Sequence, residues 1–175
     1  MKRTAYFIVG PPCAGKTTIA RALLGFDDGK ERTLVLIPKP KWTIFNSGRV
    51  VAAGHYTGAT FDGADMVPYN GAKKALDYWL LHLRQKAELT IFDGDRFSNA
   101  PTINFLRPYV DCIEVEYITT SPNVLEKRRK ARDWNPNPSW LKGRATKAQR
   151  FFDLYGKPKV ESKPNGLDWD ETDMD

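Results

Sequence analysis

The stretch "GPPCAGKTT", residues 10–18, constrains the chain most, because of what flanks it. Before it runs "AYFIV", a short apolar segment rich in β-branched and aromatic residues, and after it "IARALLG" has helical spacing. Strand, glycine-rich turn and helix therefore follow in order. Gly10, Gly15, Lys16 and Thr17 match G-x-x-x-x-G-K-[ST] in the context that pattern requires. Glycines let backbone N–H groups converge on a β-phosphate, and the helix starting near Lys16 points its positive dipole end there. Lys16 is expected to bridge β and γ oxygens, and the Thr17 hydroxyl to coordinate Mg²⁺. Gly10, Pro11, Pro12, Cys13, Ala14, Gly15, Lys16, Thr17 and Thr18 form the expected ATP-binding loop. Cys13 reads as a small tolerated residue within it.

Length narrows the architecture, since 175 residues with 41% hydrophobic content bury one sizeable core. Residues 1–156 are expected to form that domain, and 157–175 an acidic polar tail. No run of 18 apolar residues exists, and the N-terminus does not resemble a signal peptide. A soluble protein of the cytoplasm, with no membrane partner, is the expectation. Cys13 and Cys112 provide neither a disulfide framework nor zinc-ligand spacing.

The net charge of +6 is unevenly spread. Residues 157–175 hold three lysines against six carboxylates, whereas 126–150 hold nine cations against Glu126 and Asp133, a local net of +7. An excess of that size attracts polyphosphate, although a solvated helix face is the ordinary origin of a charge run.

Downstream, "TLVLI" reads as a buried strand, and Asn46, Ser47 and Gly48 separate the two halves of a β-hairpin. "AKKALDYWLLHLRQKA" has a helical period that places Leu76, Trp79, Leu80 and Leu83 on one face. His55 and His82 read as structural. "ELTIFDGDRF" is a strand ending at Asp93, the candidate acidic residue for the metal, with Gly94 permitting a turn and Asp95 and Arg96 emerging at the carboxyl end of the sheet. Asp93 or Asp95 could instead cap the next helix. "CIEVEYIT" is a further strand, and "SPNVLEKRRKAR" a helix with Ser121 as N-cap that ends near Asp133. "WNPNPSWLKGRATK" shows no clear period and reads as flexible, followed by a closing helix "KAQRFFDLY".

Alternating strands and helices predict an α/β fold, a P-loop-type parallel sheet flanked by helices. No N-K-x-D guanine motif occurs, and the chain is short for a motor ATPase. An arginine-rich helix followed by a flexible basic segment, about 126–150, is where a small kinase places the lid that closes over the transferred phosphate. Arg128, Arg132, Lys142 and Arg144 are the lid candidates. The glycine-rich "GHYTGATFDGADMVPYN" is the candidate acceptor side, with Asp62 or Asp65 to orient or deprotonate a hydroxyl, Asp65 preferred. Tyr56, Phe61 and Tyr69 could stack on a base or pack in the core, and Trp134 and Trp140 could stack on an exposed base.

The order "GPPCAGKTT", "WTIFNSGRVVAAGHYTGATFDGADMV", "IFDGDRF", "RRKARDW" and "WLKGRATK" resembles the phage-encoded P-loop kinases that phosphorylate 5-hydroxymethyluracil in DNA during thymidine hypermodification. The resemblance spans roughly residues 4–152 and implies ATP as donor, Mg²⁺ as cofactor, and 5-hydroxymethyluracil-containing DNA as acceptor. The host-cell cytoplasm is then the expected location. Two rival readings stay open from the residues themselves: a nucleoside or nucleotide kinase acting on free substrate, and a nucleic-acid-binding ATPase.

Overall fold

A computed structural model describes residues 1–25, 35–57 and 62–156. Six strands form one mixed sheet: β1 (Thr4–Val9), β2 (Val35–Pro38), β3 (Lys41–Phe45), β4 (Val50–Ala53), β5 (Leu89–Asp93) and β6 (Cys112–Tyr117), in the order β2-β3-β4-β5-β1-β6. β4, β5, β1 and β6 run parallel. β3 is antiparallel to both β2 and β4, so the expected all-parallel sheet is corrected to a mixed one. The cause is loop length. Short turns join β2 to β3 and β3 to β4, and a parallel pair needs a crossover of a dozen or more residues. Asn46–Gly48 makes the second turn, where the sequence placed it, with Asn46, Ser47 and Gly48 all at positive φ.

Alternation along β1 explains the layers. Ala5, Phe7 and Val9 face one cluster, which also contains Trp42, Phe92, Trp79, Ile103 and Phe151, while Ile8 faces a second with Ala20, Leu24, Tyr56 and Ile91. Helices α2 (Ala72–Tyr78), α3 (Ala100–Leu106) and α5 (Pro138–Tyr155) cover the first face, and α1 (Lys16–Leu23) the second. α2 continues through a π-helical turn, Trp79–Leu83; of its expected apolar face, Leu76, Trp79 and Leu83 are buried and Leu80 packs half-buried. β2 is an edge strand with Val35 48% and Leu36 40% exposed, so the described part of "TLVLI" is not a buried strand. Thr33, Leu34, Phe61 and the tail 157–175 lie outside the described residues.

Helix starts follow local chemistry. Asn99 caps α3 by accepting from the Thr102 N–H at 3.0 Å, so neither Asp93 nor Asp95 does. Ser121 caps α4 (Pro122–Ala131), with Pro122 in its first turn. The largest departure from the sequence reading is at 138–147, which is helical. Asn137 caps it and Pro138 opens it, and α5 runs unbroken through Gly143 to Tyr155. Only residues 132–137 separate α4 from α5. Among the described residues no helix is long and apolar enough to cross a membrane.

Two glycines test this backbone from opposite sides. Gly54 has φ +95°, and a Cβ there would lie 1.9 Å from the Gly63 carbonyl oxygen. Gly54→Ala is expected to lose at least about 1–3 kcal/mol, or about 2–4 °C in Tm per kcal/mol for a domain of this size. Gly143, mid-helix with nothing within 4 Å of its added Cβ, should behave oppositely, Gly143→Ala gaining about 0.8–1.0 kcal/mol. Thermal melts of the two variants check both signs.

Candidate active site

At the carboxyl end of the parallel strands, the loop between β1 and α1 closes one wall of a cavity of about 350 Å³. Gly10 at φ 149° lets this loop pass against β6's continuation: a Cβ at Gly10 would meet the Ile118 carbonyl oxygen at 2.1 Å. Gly15, at φ 111°, precedes α1, whose first residue is Lys16. Arg128 of α4 donates to the Cys13 and Ala14 carbonyls, 3.0 Å each. A planar trans peptide directs its N–H opposite to its C=O, so fixing the Ala14 carbonyl on Arg128 turns the Gly15 N–H away from that arginine. Gly10, Pro12, Cys13, Gly15, Thr17 and Thr18 line the cavity with Lys16. Pro11 supports from behind: its carbonyl, with that of Gly10, accepts from the Lys16 ammonium at 2.8 and 3.1 Å. Ala14 is buried. Burial lowers the Lys16 pKa against the opposing pull of Asp93 and Asp65.

Asp93 ends β5, the strand beside β1, as the sequence reading placed it. Its carboxylate is buried and accepts three hydrogen bonds, from the Thr17 hydroxyl (2.9 Å), the Tyr56 hydroxyl (2.6 Å) and the Ala64 N–H (2.8 Å). Tyr56 is fully buried, its pKa raised by desolvation and then by Asp93. It therefore has no face for a base, and its expected substrate contact is corrected to support of Asp93. Thr17 and Asp93, whose oxygens lie 2.9 Å apart on the cavity wall, could hold a divalent cation. Among the described residues there is no group of three or more His, Cys, Asp or Glu that could hold one. Two oxygen ligands suit Mg²⁺, which keeps waters and takes phosphate oxygens for the rest.

The acceptor-side aspartates part company. Asp62 is buried and ion-paired with Arg21 at 2.7 Å, and it accepts from the Thr57 N–H and hydroxyl, so it is tied to those two residues and does not line the cavity. Asp65 does line it. The residue is exposed, yet partial burial of its carboxyl raises its pKa, with Asp93 adding to the rise while Arg96, Lys16 and Arg144 oppose it. Arg96 lies under the exposed ring of Tyr69, 4.1 Å from its centroid, and donates weakly to the Asp65 carbonyl at 3.4 Å.

α4 and α5 close the cavity. Arg132 reaches within 3.9 Å of the Cys13 sulfur. Arg144 pairs with Asp95, and Lys147 lies 3.8 Å from the same carboxylate. Trp134 and Trp140 meet edge to face at 5.6 Å, with the Arg144 guanidinium 4.8 Å from the Trp140 ring centre. Lys142 points to solvent and does not line the cavity. Trp134, expected with Trp140 to stack on a base, lines it as well, as do Lys147 and Ser98, which the sequence reading left out of the site. For α5 the signal was available: Trp140, Arg144, Lys147 and Ala148 stand at i, i+4, i+7 and i+8, one helix face. His55 bonds the Ile37 carbonyl and His82 packs at a tilt against Tyr78, neither lining the cavity.

Comparison with known protein families found no matching family model, and no curated protein matches the chain.

Asp65 allows a stability test that needs no substrate. Its folded-state pKa lies above its unfolded value, so between the two the folded protein binds more protons. Stability therefore falls as pH rises through that window and stays lower above it. Asp65→Asn should melt higher than the parent at pH 7, with the gap closing below the ordinary aspartate range. Equal melting at pH 7 would show that the carboxylate is not desolvated.

Proposed function

We propose that the chain is a P-loop phosphotransferase that moves the γ-phosphoryl group of ATP onto the 5-hydroxymethyl group of 5-hydroxymethyluracil in DNA, with 126–150 as its basic closing element. The observation that carries the phosphotransfer reading is the convergence of Lys16, Thr17, Asp93 and Asp65 on one cavity at the mouth of a glycine-rich loop. The acceptor rests on the resemblance of "FDGAD" and "WLKGRATK" to the 5-hydroxymethyluracil DNA kinases, and on the basic surface, since a polymer requires several phosphates to be neutralised.

In this reading the Gly15 N–H and the Lys16 ammonium bind the donor phosphates, and Lys16 leaves the Gly10 and Pro11 carbonyls to do so. Thr17 and Asp93 would hold Mg²⁺, which when bound neutralises phosphate charge. Asp65 accepts the proton of the hydroxymethyl group as its oxygen forms the new O–P bond. The bond from γ-phosphorus to the β–γ bridging oxygen breaks, and ADP departs with that electron pair. Arg132, Arg144 and Lys147 offset charge on the equatorial oxygens, where preorganised donors act most strongly. Arg128 keeps the loop carbonyls turned aside. Asp95 keeps Lys147 in place.

The deciding experiment offers γ-labelled ATP with 5-hydroxymethyluracil DNA, thymine DNA and free nucleotides in parallel. Label should enter only the first. Label in free nucleotide alone would make the protein a nucleotide kinase, and inorganic phosphate alone an ATPase. Lys16→Ala should lose ~10² or more in turnover while staying folded. Because Asp65 must be ionised to accept a proton, turnover should fall with decreasing pH above the range of an ordinary aspartate, as a pH–rate profile will report. Lys127 and Arg150 are exposed and outside the cavity. Neutralising either should lower the salt slope of DNA binding by about one unit and leave turnover at saturating DNA unchanged.

A further inference from the structure

Arg144 lines the cavity with three contacts on its guanidinium. It pairs with Asp95, donates to the Tyr69 hydroxyl at 3.2 Å, and lies over the Trp140 indole at 4.8 Å. Trp140 is 41% exposed, with Trp134 meeting it edge to face and Arg144 over its ring, so a planar group that stacks on the Arg144 side must displace the guanidinium. A nucleobase stacks on an indole more strongly than a guanidinium does at a partly exposed site, ~1 to 3 kcal/mol against about 0.5–1. A base therefore wins that face. Displacing Arg144 leaves no orphaned charge behind, because Lys147 remains 3.8 Å from the Asp95 carboxylate and bonded to its carbonyl at 3.3 Å.

Building on the kinase reading above, we propose that Arg144 is a base-gated residue: an acceptor base stacking on Trp140 displaces its guanidinium, which then turns to the transferring phosphoryl group. Trp140 is the platform and acts through Arg144. The gate answers a chemical problem common to phosphotransferases. Water can take the γ-phosphoryl group in place of the acceptor, giving ADP and inorganic phosphate. A cation withheld until a base arrives keeps that side reaction slow. It also fixes the substrate class, since a base must leave its stack to lie on an indole inside a cavity of about 350 Å³, so single strands or extruded bases are required.

Three measurements on the full chain test it. The first is tryptophan fluorescence with single-stranded oligothymidylate and no ATP. The others are ATP hydrolysis without acceptor and γ-phosphate transfer to single-stranded 5-hydroxymethyluracil DNA. Trp140→Ala is expected to weaken oligonucleotide binding by about 5- to 150-fold. Its acceptor-free hydrolysis should rise roughly two- to fivefold, the size of the lost cation–π restraint. Trp140→Phe should restore much of both, and Arg144→Ala placed on Trp140→Ala should remove the extra hydrolysis. A structural role for Trp140 would lower hydrolysis and transfer together. Unchanged or falling acceptor-free hydrolysis in Trp140→Ala, with transfer intact in the parent, overturns the gate alone. No γ-phosphate transfer by the parent to any hydroxymethyluracil acceptor overturns the kinase reading and the gate with it.

Discussion

A single buried carboxylate, that of Asp93, joins the two halves of the candidate site. Removing an ionised carboxyl from water costs far more than any surface contact returns, so it is tolerated only when its lone pairs are filled. Three donors fill them, each from a different part of the chain: Thr17 from α1, Tyr56 from the segment after β4, and the Ala64 N–H from the turn leading to Asp65. The glycine-rich loop and the "GAD" turn are thus registered on one atom group. Gly63 makes room for this, since a Cβ there would stand 2.7 Å from both carboxylate oxygens. Much of the geometry around the cavity follows from satisfying that one charge.

The cations of 126–150 divide by what they face. Arg128, Arg129 and Lys130 sit in the last turn of α4, where positive charge suits the helix dipole. From there Arg128 reaches the loop carbonyls, and Arg132, just past the helix, reaches Cys13. Arg144 and Lys147 come from α5 and converge on Asp95. The remaining exposed cations form an outward basic surface. A run that looks like one patch in sequence is therefore two sets of inward arms and a separate outer face, divided by helix geometry.

Local chemistry made the loop legible. "GPPCAGKTT" between an apolar run and a helical one, and an apolar strand ending in Asp93, gave the positions of Lys16, Thr17 and Asp93, and "FDGAD" gave Asp65. The misses share a cause, which is that tertiary packing decides between readings that local pattern leaves equal. "TLVLI" has the composition of an interior strand, but a hairpin places its described part at the sheet edge. Tyr56 looked like a stacking surface because its hydroxyl partner stands 37 residues away. "WNPNPSWLKGRATK" looked irregular because prolines and a glycine outweighed its period. Asn137 and Pro138 are a helix start, and Gly143 interrupts an exposed face without breaking the hydrogen-bond ladder.

Asp65 and Asp93 show how two carboxylates in one cavity come to differ. The Asp93 carboxylate accepts from three donors that fix its position. Among the described residues no hydrogen-bond donor occupies the Asp65 carboxylate, and both desolvation and Asp93 raise its proton affinity. Environments that separate two such groups are how one site obtains an electrostatic anchor and a proton acceptor from the same side-chain type. Asp93, anchored by its three donors, is one of the causes of the rise at Asp65. In the proposed reaction the residue that organises the metal side therefore also prepares the base on the acceptor side, through a field acting across the cavity with no bond between them.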